Sequence, residues 1–257
     1  MADAIEQLRA STEAELSAIV AKLGPTHRRR VLDAVERYGS IAAIPAEVWE
    51  SMKQEVDTQA AAVLLLLLAG TYGAEYRRIT RQLPAENRVA APAPEELQAA
   101  AAPVAGQAAR MVADDYVDGM RNRLERNIDA KAQELNQLPP REAAKAVRDE
   151  IDAAIGEEAA AAPIIDNTAR AVNASGESAA EDIGRQVGAR VVVIWVIEDS
   201  KACSVCKSLD GKTSDEWGAI LEGSGSSDAI GFVMNYGGAH PHCRCRRKYV
   251  LMDWSDN

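Results

Sequence analysis

The sequence predicts a mainly α chain with a small α+β C-terminal domain, an elongated helical arm followed by a zinc-stapled module. Three observations point to this class. Hydrophobic residues make up 47% of the 257 positions but aromatics only 4%, with Phe232 the single phenylalanine; alanine and aliphatic side chains favour packed helices over a β-sandwich. Apolar residues recur every three or four positions through about residue 186, and only 190–198 (RVVVIWVIE) reads as a strong strand. All four cysteines lie between positions 203 and 245.

Along the first part of the chain, Ile5, Leu8, Leu16, Ile19, Val20 and Leu23 share helical spacing, and Gly24-Pro25 predicts a stop after residue 23. A second helix is expected over 27–38, with Val31, Leu32 and Val35 on one face and Gly39-Ser40 at its end. His27, beside three arginines, reads as a surface residue at that helix start. Pro45 sits where a first-turn proline opens a helix. That helix runs through Trp49, Met52 and Val56 toward Leu83, with Gly70 and Gly73 as candidate breaks. The apolar run 60–70 (AAAVLLLLLAG) is shorter than the roughly 20 residues a membrane span requires. It predicts a helix buried on all sides, a partner surface being the other reading.

Pro84, Pro92, Pro94 and Pro103 make 84–103 the expected linker or long loop. Met111, Val112, Tyr116, Met120, Leu124, Ile128 and Leu135 predict a helix over 104–138, ended by Pro139-Pro140. Another is expected over 141–161, ended by Pro163, and a third over 164–186, with Asn173, Ser175 and Gly176 as weak points. After the strand at 190–198, Asp210-Gly211 gives a turn signal, 223–227 a Gly/Ser loop, and 246–252 (RRKYVLM) a returning strand. The expected organisation is therefore an N-terminal helical segment (1–83), a Pro/Ala-rich linker or loop (84–103), a helical segment (104–187) and a small Cys/His zinc-binding domain (188–257).

The formal charge of −10 disfavours a general nucleic-acid binder, whose affinity rests on neutralising phosphates. Arg244, Arg246, Arg247 and Lys248 form a local exception. They read as a weak DNA contact, or as solvated strand-edge charge and a patch for an acidic partner; the acidic balance favours the latter. The N-terminal segment has neither the basic nor the apolar region of a secretory signal, so synthesis in the cytoplasm is expected, with cysteines metal-bound or reduced.

The chemistry-bearing pattern is Cys203-Ser-Val-Cys206, followed by His240-Pro-His242-Cys243-Arg-Cys245. A zinc site needs four converging N or S ligands, and a CxxC supplies two of them from one turn. His240 with Cys243 repeats that spacing; Cys245 competes with Cys243, and a four-cysteine site with His240 hydrogen-bonded behind it is a third arrangement. His242 reads as an exposed loop residue. A metal staple suits a module of about 70 residues with few aromatics. Ordinary thiols, disulfides and a redox CxxC are the competing readings. The sequence has no HExxH, GxSxG or GxxxxGK[ST], so no enzyme is expected. Asp199 and Asp210 read as turn and capping residues.

These residues carry a resemblance. The order Trp195…Asp199…Cys203-Ser-Val-Cys206…Leu209-Asp210-Gly211-Lys212…His240-Pro241-His242-Cys243-Arg244-Cys245 resembles the C-terminal domain of the Mu F-like phage head-morphogenesis (minor head, or minor capsid) proteins. In that family a Trp-bearing strand leads to an Asp, a CxxC, a Leu-x-Gly-Lys turn and then HPxCRC. The resemblance covers about residues 164–252. It departs at Ala169-Arg170-Ala171-Val172, where the family often has Ala-Arg-Thr-Glu. It implies a virion structural protein made in the infected bacterium and present in few copies near the portal vertex. Such a protein would bind portal, major capsid or scaffold subunits during head assembly as part of an oligomeric assembly, and would be linked in some phages to DNA packaging or ejection. The alternative is a nucleic-acid-binding zinc module acting in packaging or regulation.

Overall fold

The computed structural model describes residues 2–155, 157–197, 202–223 and 245–252. Among the described residues there are seven α-helices, one 3₁₀ turn and two strands. The helices are α1 (Ala2–Tyr38), α2 (Ala46–Thr80), α3 (Pro94–Leu135), α4 (Pro140–Ala154), α5 (Glu157–Val187), α6 (Ser204–Leu209) and α7 (Ser214–Gly223). The strands are β1 (Arg190–Val196) and β2 (Arg246–Met252). The mainly helical class and the small C-terminal antiparallel sheet stand as the sequence predicts.

The helices are fewer and longer than prolines suggest. Pro25, Pro103 and Pro163 each lie inside a helix, although an interior proline forfeits one backbone hydrogen bond and costs about 3 kcal/mol. Burial on either side outweighs the lost bond. Leu23, Gly24 and His27 flank Pro25, Ala101 and Ala105 flank Pro103, and Ile164 follows Pro163, all buried. The stop expected at Gly24-Pro25 is thus absent. The expected loop 84–103 contracts to a 3₁₀ turn (Ala85–Asn87) and a short connection before α3 starts at Pro94. Gly70 and Gly73 do not break α2; Leu8 and Leu97 pack over them instead, at 3.3 and 3.1 Å from where a Cβ would sit.

The chain divides into two compact units. One comprises Glu13–Val63 and Ala109–Ile164. Its core is built from Leu16, Val20 and Val31 of α1, Trp49, Met52 and Val56 of α2, and Val112, Tyr116, Met120 and Leu124 of α3, all buried. Lys53 of α2 ties to α3 through Asp118 (2.9 Å) and Asp114 (3.1 Å). Arg28 of α1 pairs with Asp152 of α4. His27 corrects the sequence reading: it is fully buried, with its ring 6.2 Å from that of Tyr116 and Nε2 3.4 Å from Glu55 Oε2.

The other unit comprises Met1–Thr12, Leu64–Ala108 and Ile165–Asn257. The module around the cysteines therefore shares its core with the C-terminal half of α2 and with α5. In the apolar run, Leu64, Leu67 and Leu68 are buried but Leu66 is 66% exposed, so that helix is not enclosed on all sides. By length and composition alone α2 could cross a bilayer; those three leucines face the protein core.

Candidate metal centre

β1 and β2 pair antiparallel, with Trp195 opposite Arg247 and Val193 opposite Tyr249. The alternation of a strand puts Trp195 and Val193 on one face of β1, and Arg247, Tyr249 and Leu251 on the matching face of β2. These side chains are buried.

Cys203 leads into α6, and the chain after α6 comes back along the outer edge of β1. Trp195 N–H donates to Lys212 O (3.0 Å), Gly211 N–H donates to Trp195 O (2.9 Å), and Ile194 bridges Thr213. Gly211 makes this return possible because its φ is +71°, a region that side chains with a Cβ enter only at a cost. Asp210 Oδ1 accepts from Ile197 N–H at 3.1 Å, so the carboxylate fixes the turn to the end of β1. Thr213 then starts α7. Glu216 accepts from Thr213 N–H (2.8 Å) and from its hydroxyl (2.9 Å), the reach-back half of a capping box. Those two bonds hold the Glu216 carboxyl below the usual carboxylate range.

Around this return, Trp195, Cys206, Leu209, Trp217, Leu221, Cys245 and Tyr249 form one apolar cluster with Tyr72, Tyr76 and Ile79 of α2 and Ile183 of α5. Trp195 and Trp217 meet edge to face, with ring centroids 5.5 Å apart. Trp217 Nε1 donates to Lys212 O at 3.0 Å. Cys203 caps α6: its Sγ accepts from Cys206 N–H at 3.4 Å. The two-residue spacing thus brings both cysteines to the first turn of one short helix, as a CxxC ligand pair requires. Cys206 is fully buried, Cys245 is 8% exposed, and Cys203 packs at the cluster's margin.

Cys203, Cys206 and Cys245 share this cluster but do not by themselves make a metal-holding group: among the described residues, no three His, Cys, Asp or Glu side chains are arranged to hold an ion. His240, His242, Cys243 and Arg244 lie outside the described residues, as does Asp199. The CxxC half fits a soft divalent ion through its sulfur donors and its seclusion from water. The second half of the expected ligand set falls on residues beyond the description.

The residues that seat β2 escaped the sequence reading. Asn173 Oδ1 accepts from Arg247 N–H (3.3 Å), and Arg78 Nη2 donates to Tyr249 O (2.8 Å). Tyr249 OH donates to Asn173 O, and burial pushes that phenol well above its ordinary pKa. Arg247 reaches Glu177 at 2.9 Å and lies 5.4 Å over the Trp217 ring. Ser175 Oγ donates to Leu68 O at 2.8 Å. Asn173, Ser175 and Gly176, which propensity marks as weak points of α5, are the surface on which β2 and α2 dock. Their clustering at mid-helix was the available signal.

No family model matches the chain, and neither a curated protein nor a solved structure does.

Proposed function

We propose that the chain is a bacteriophage minor head protein of the Mu F-like head-morphogenesis kind, and that zinc held by Cys203, Cys206 and two of His240, Cys243 and Cys245 staples its C-terminal module. One observation supports the reading most. The separate parts of the motif are neighbours: Trp195 is hydrogen-bonded to both Gly211 and Lys212, and Leu209, Cys206 and Cys245 pack in the same cluster. Such a metal would supply cross-linking, with Cys206 and Cys245 withdrawn from solvent.

In this role the helices bind portal, scaffold or capsid subunits during assembly, and the protein ends in the head near the portal vertex. The alternative of a nucleic-acid-binding module has less support. Arg247 is turned inward to Glu177 and Trp217, and among the described cations of that run Lys248 is exposed while Arg246 is half-buried.

The test is to express the chain with the portal, scaffold and major capsid subunits of its source genome and to analyse purified particles by quantitative mass spectrometry. A few copies per particle, reduced when Leu209→Asp breaks the cluster, is the expected result. Exclusion from particles together with no binding to isolated portal overturns the reading. Elemental analysis of the purified protein tests the staple separately, with about one zinc per chain expected.

A further inference from the structure

The two tryptophans in the cluster around the cysteines differ in one respect. Trp217 Nε1 donates to Lys212 O at 3.0 Å. Trp195 is fully buried, yet its Nε1 has no acceptor among the described residues. A buried N–H without an acceptor has lost its bond to water and gained nothing in return. The backbone of Trp195 is satisfied, since its N–H and C=O bond Lys212 and Gly211. The unmet donor is the indole alone.

The strand register shows what stands near it. Trp195 is opposite Arg247, and the buried positions of β2 alternate as Arg247, Tyr249 and Leu251. Cys245, two residues before Arg247 and 8% exposed, extends that series onto the same face. It is therefore the diagonal neighbour of Trp195, at a separation of about 7–8 Å that an aromatic side chain spans. Both residues belong to the same apolar cluster.

Building on the zinc staple proposed above, we infer that Cys245 is one of its ligands and that Trp195 Nε1–H donates to the Cys245 sulfur. A metal-bound cysteine is a thiolate, and at this depth water stabilises its charge poorly. The indole is suited to replace that water. It is a donor only, it has no competing acceptor among the described residues, and it is braced by the Trp217 ring at 5.5 Å. A neutral thiol is a weak acceptor, so the bond strengthens when metal binds. Donors of this kind fix the ligand and raise metal affinity. Cys203 has a comparable donor in Cys206 N–H, 3.4 Å from its sulfur.

The test uses the full chain, reduced and ¹⁵N-labelled, loaded with zinc or with cadmium-113 in its place. Trp195→Phe assigns the Trp195 indole signal. On metal addition the Trp195 indole proton is expected to move downfield. In the cadmium-113 form it should also show a coupling to the metal, absent with spin-zero cadmium, which requires an N–H···S–Cd path. Cys245→Ser should remove the coupling and weaken zinc binding by more than about tenfold, and Trp195→Phe should weaken it about tenfold. Bound metal with an unmoved, uncoupled Trp195 indole overturns the donor role and leaves the staple standing. A coupling that survives Cys245→Ser, or full zinc affinity in that variant, overturns the assignment of Cys245. No metal bound by the wild-type chain removes the staple and the donor role together.

Discussion

The ring of Tyr249 lies directly on Gly176: a Cβ at position 176 would fall 2.7 Å from Tyr249 Cε2. Because the Tyr249 hydroxyl is also bonded to Asn173 O, the ring cannot easily slide along α5 to make room.

Gly176→Ala is therefore expected to destabilise the protein by about 1–3 kcal/mol, in the range of core overpacking. Gly106→Ala, in α3 with no atom within 4 Å of the new Cβ, should instead stabilise by roughly 0.5–1 kcal/mol through helix propensity. Urea unfolding of the two variants checks the pair. Similar losses in both would mean that helix strain, not the Tyr249 contact, governs position 176.

Cys206→Ser should abolish the metal binding we propose and also disturb residues far away in sequence. Its thiol is fully buried in a cluster that includes Tyr72, Tyr76 and Ile183, so hydrogen exchange should accelerate over 72–83 and 179–183 as well as over 190–252. The unit of Glu13–Val63 and Ala109–Ile164 should keep its protection. Faster exchange confined to 190–252 would show that the module is energetically separate from α2 and α5.

Arg247→Met should cost about 1–2 kcal/mol, since it removes an ion pair between the buried guanidinium and the partly exposed Glu177 and a cation–π contact with Trp217. A shift in tryptophan emission should accompany the loss. Glu177→Gln should cost less, because Arg247 retains Trp217 and water still reaches the amide that replaces the carboxylate.

His27 sets an acid limit on its unit. Burial lowers its pKa, Glu55 works against that shift, and Arg30 adds to it; Tyr116 is the other titratable neighbour. The folded pKa lies below the unfolded value of about 6.5, so the unfolded chain takes up the proton first. Stability is full above that value and falls as pH drops through the window below it. Urea midpoints measured from pH 7.5 down to 5 should decline, and His27→Leu should flatten the decline. An unchanged pH profile in the variant would place the effect on other groups.

Periodicity in the sequence was enough to identify most of the helical material and both strands, because 190–196 and 246–252 carry β-branched and alternating patterns that no nearby signal contradicts. It failed at Pro25, Pro103 and Pro163, where local chemistry says stop and long-range burial of Leu23, Ala101, Ala105 and Ile164 says continue. His27 was misjudged for the same reason: its sequence neighbours are arginines, but its spatial neighbours are Tyr116 and Glu55. At the candidate centre, spacing alone picked out Cys203 and Cys206. Asn173, Arg78 and Glu177 act across 70 or more positions of chain, a separation over which a single sequence carries no pairing information.

Both edges of the two-stranded sheet are occupied, one by the 211–213 return and the other by Asn173 and Arg78. The seat for β2 is thus made of side chains from α2 and α5, and Ile5 of α1 lines the same corner. On the ribosome this imposes an order. Arg78 of α2 and Asn173 of α5 are both synthesised before β2, so the last described strand arrives on a seat whose side chains are already made.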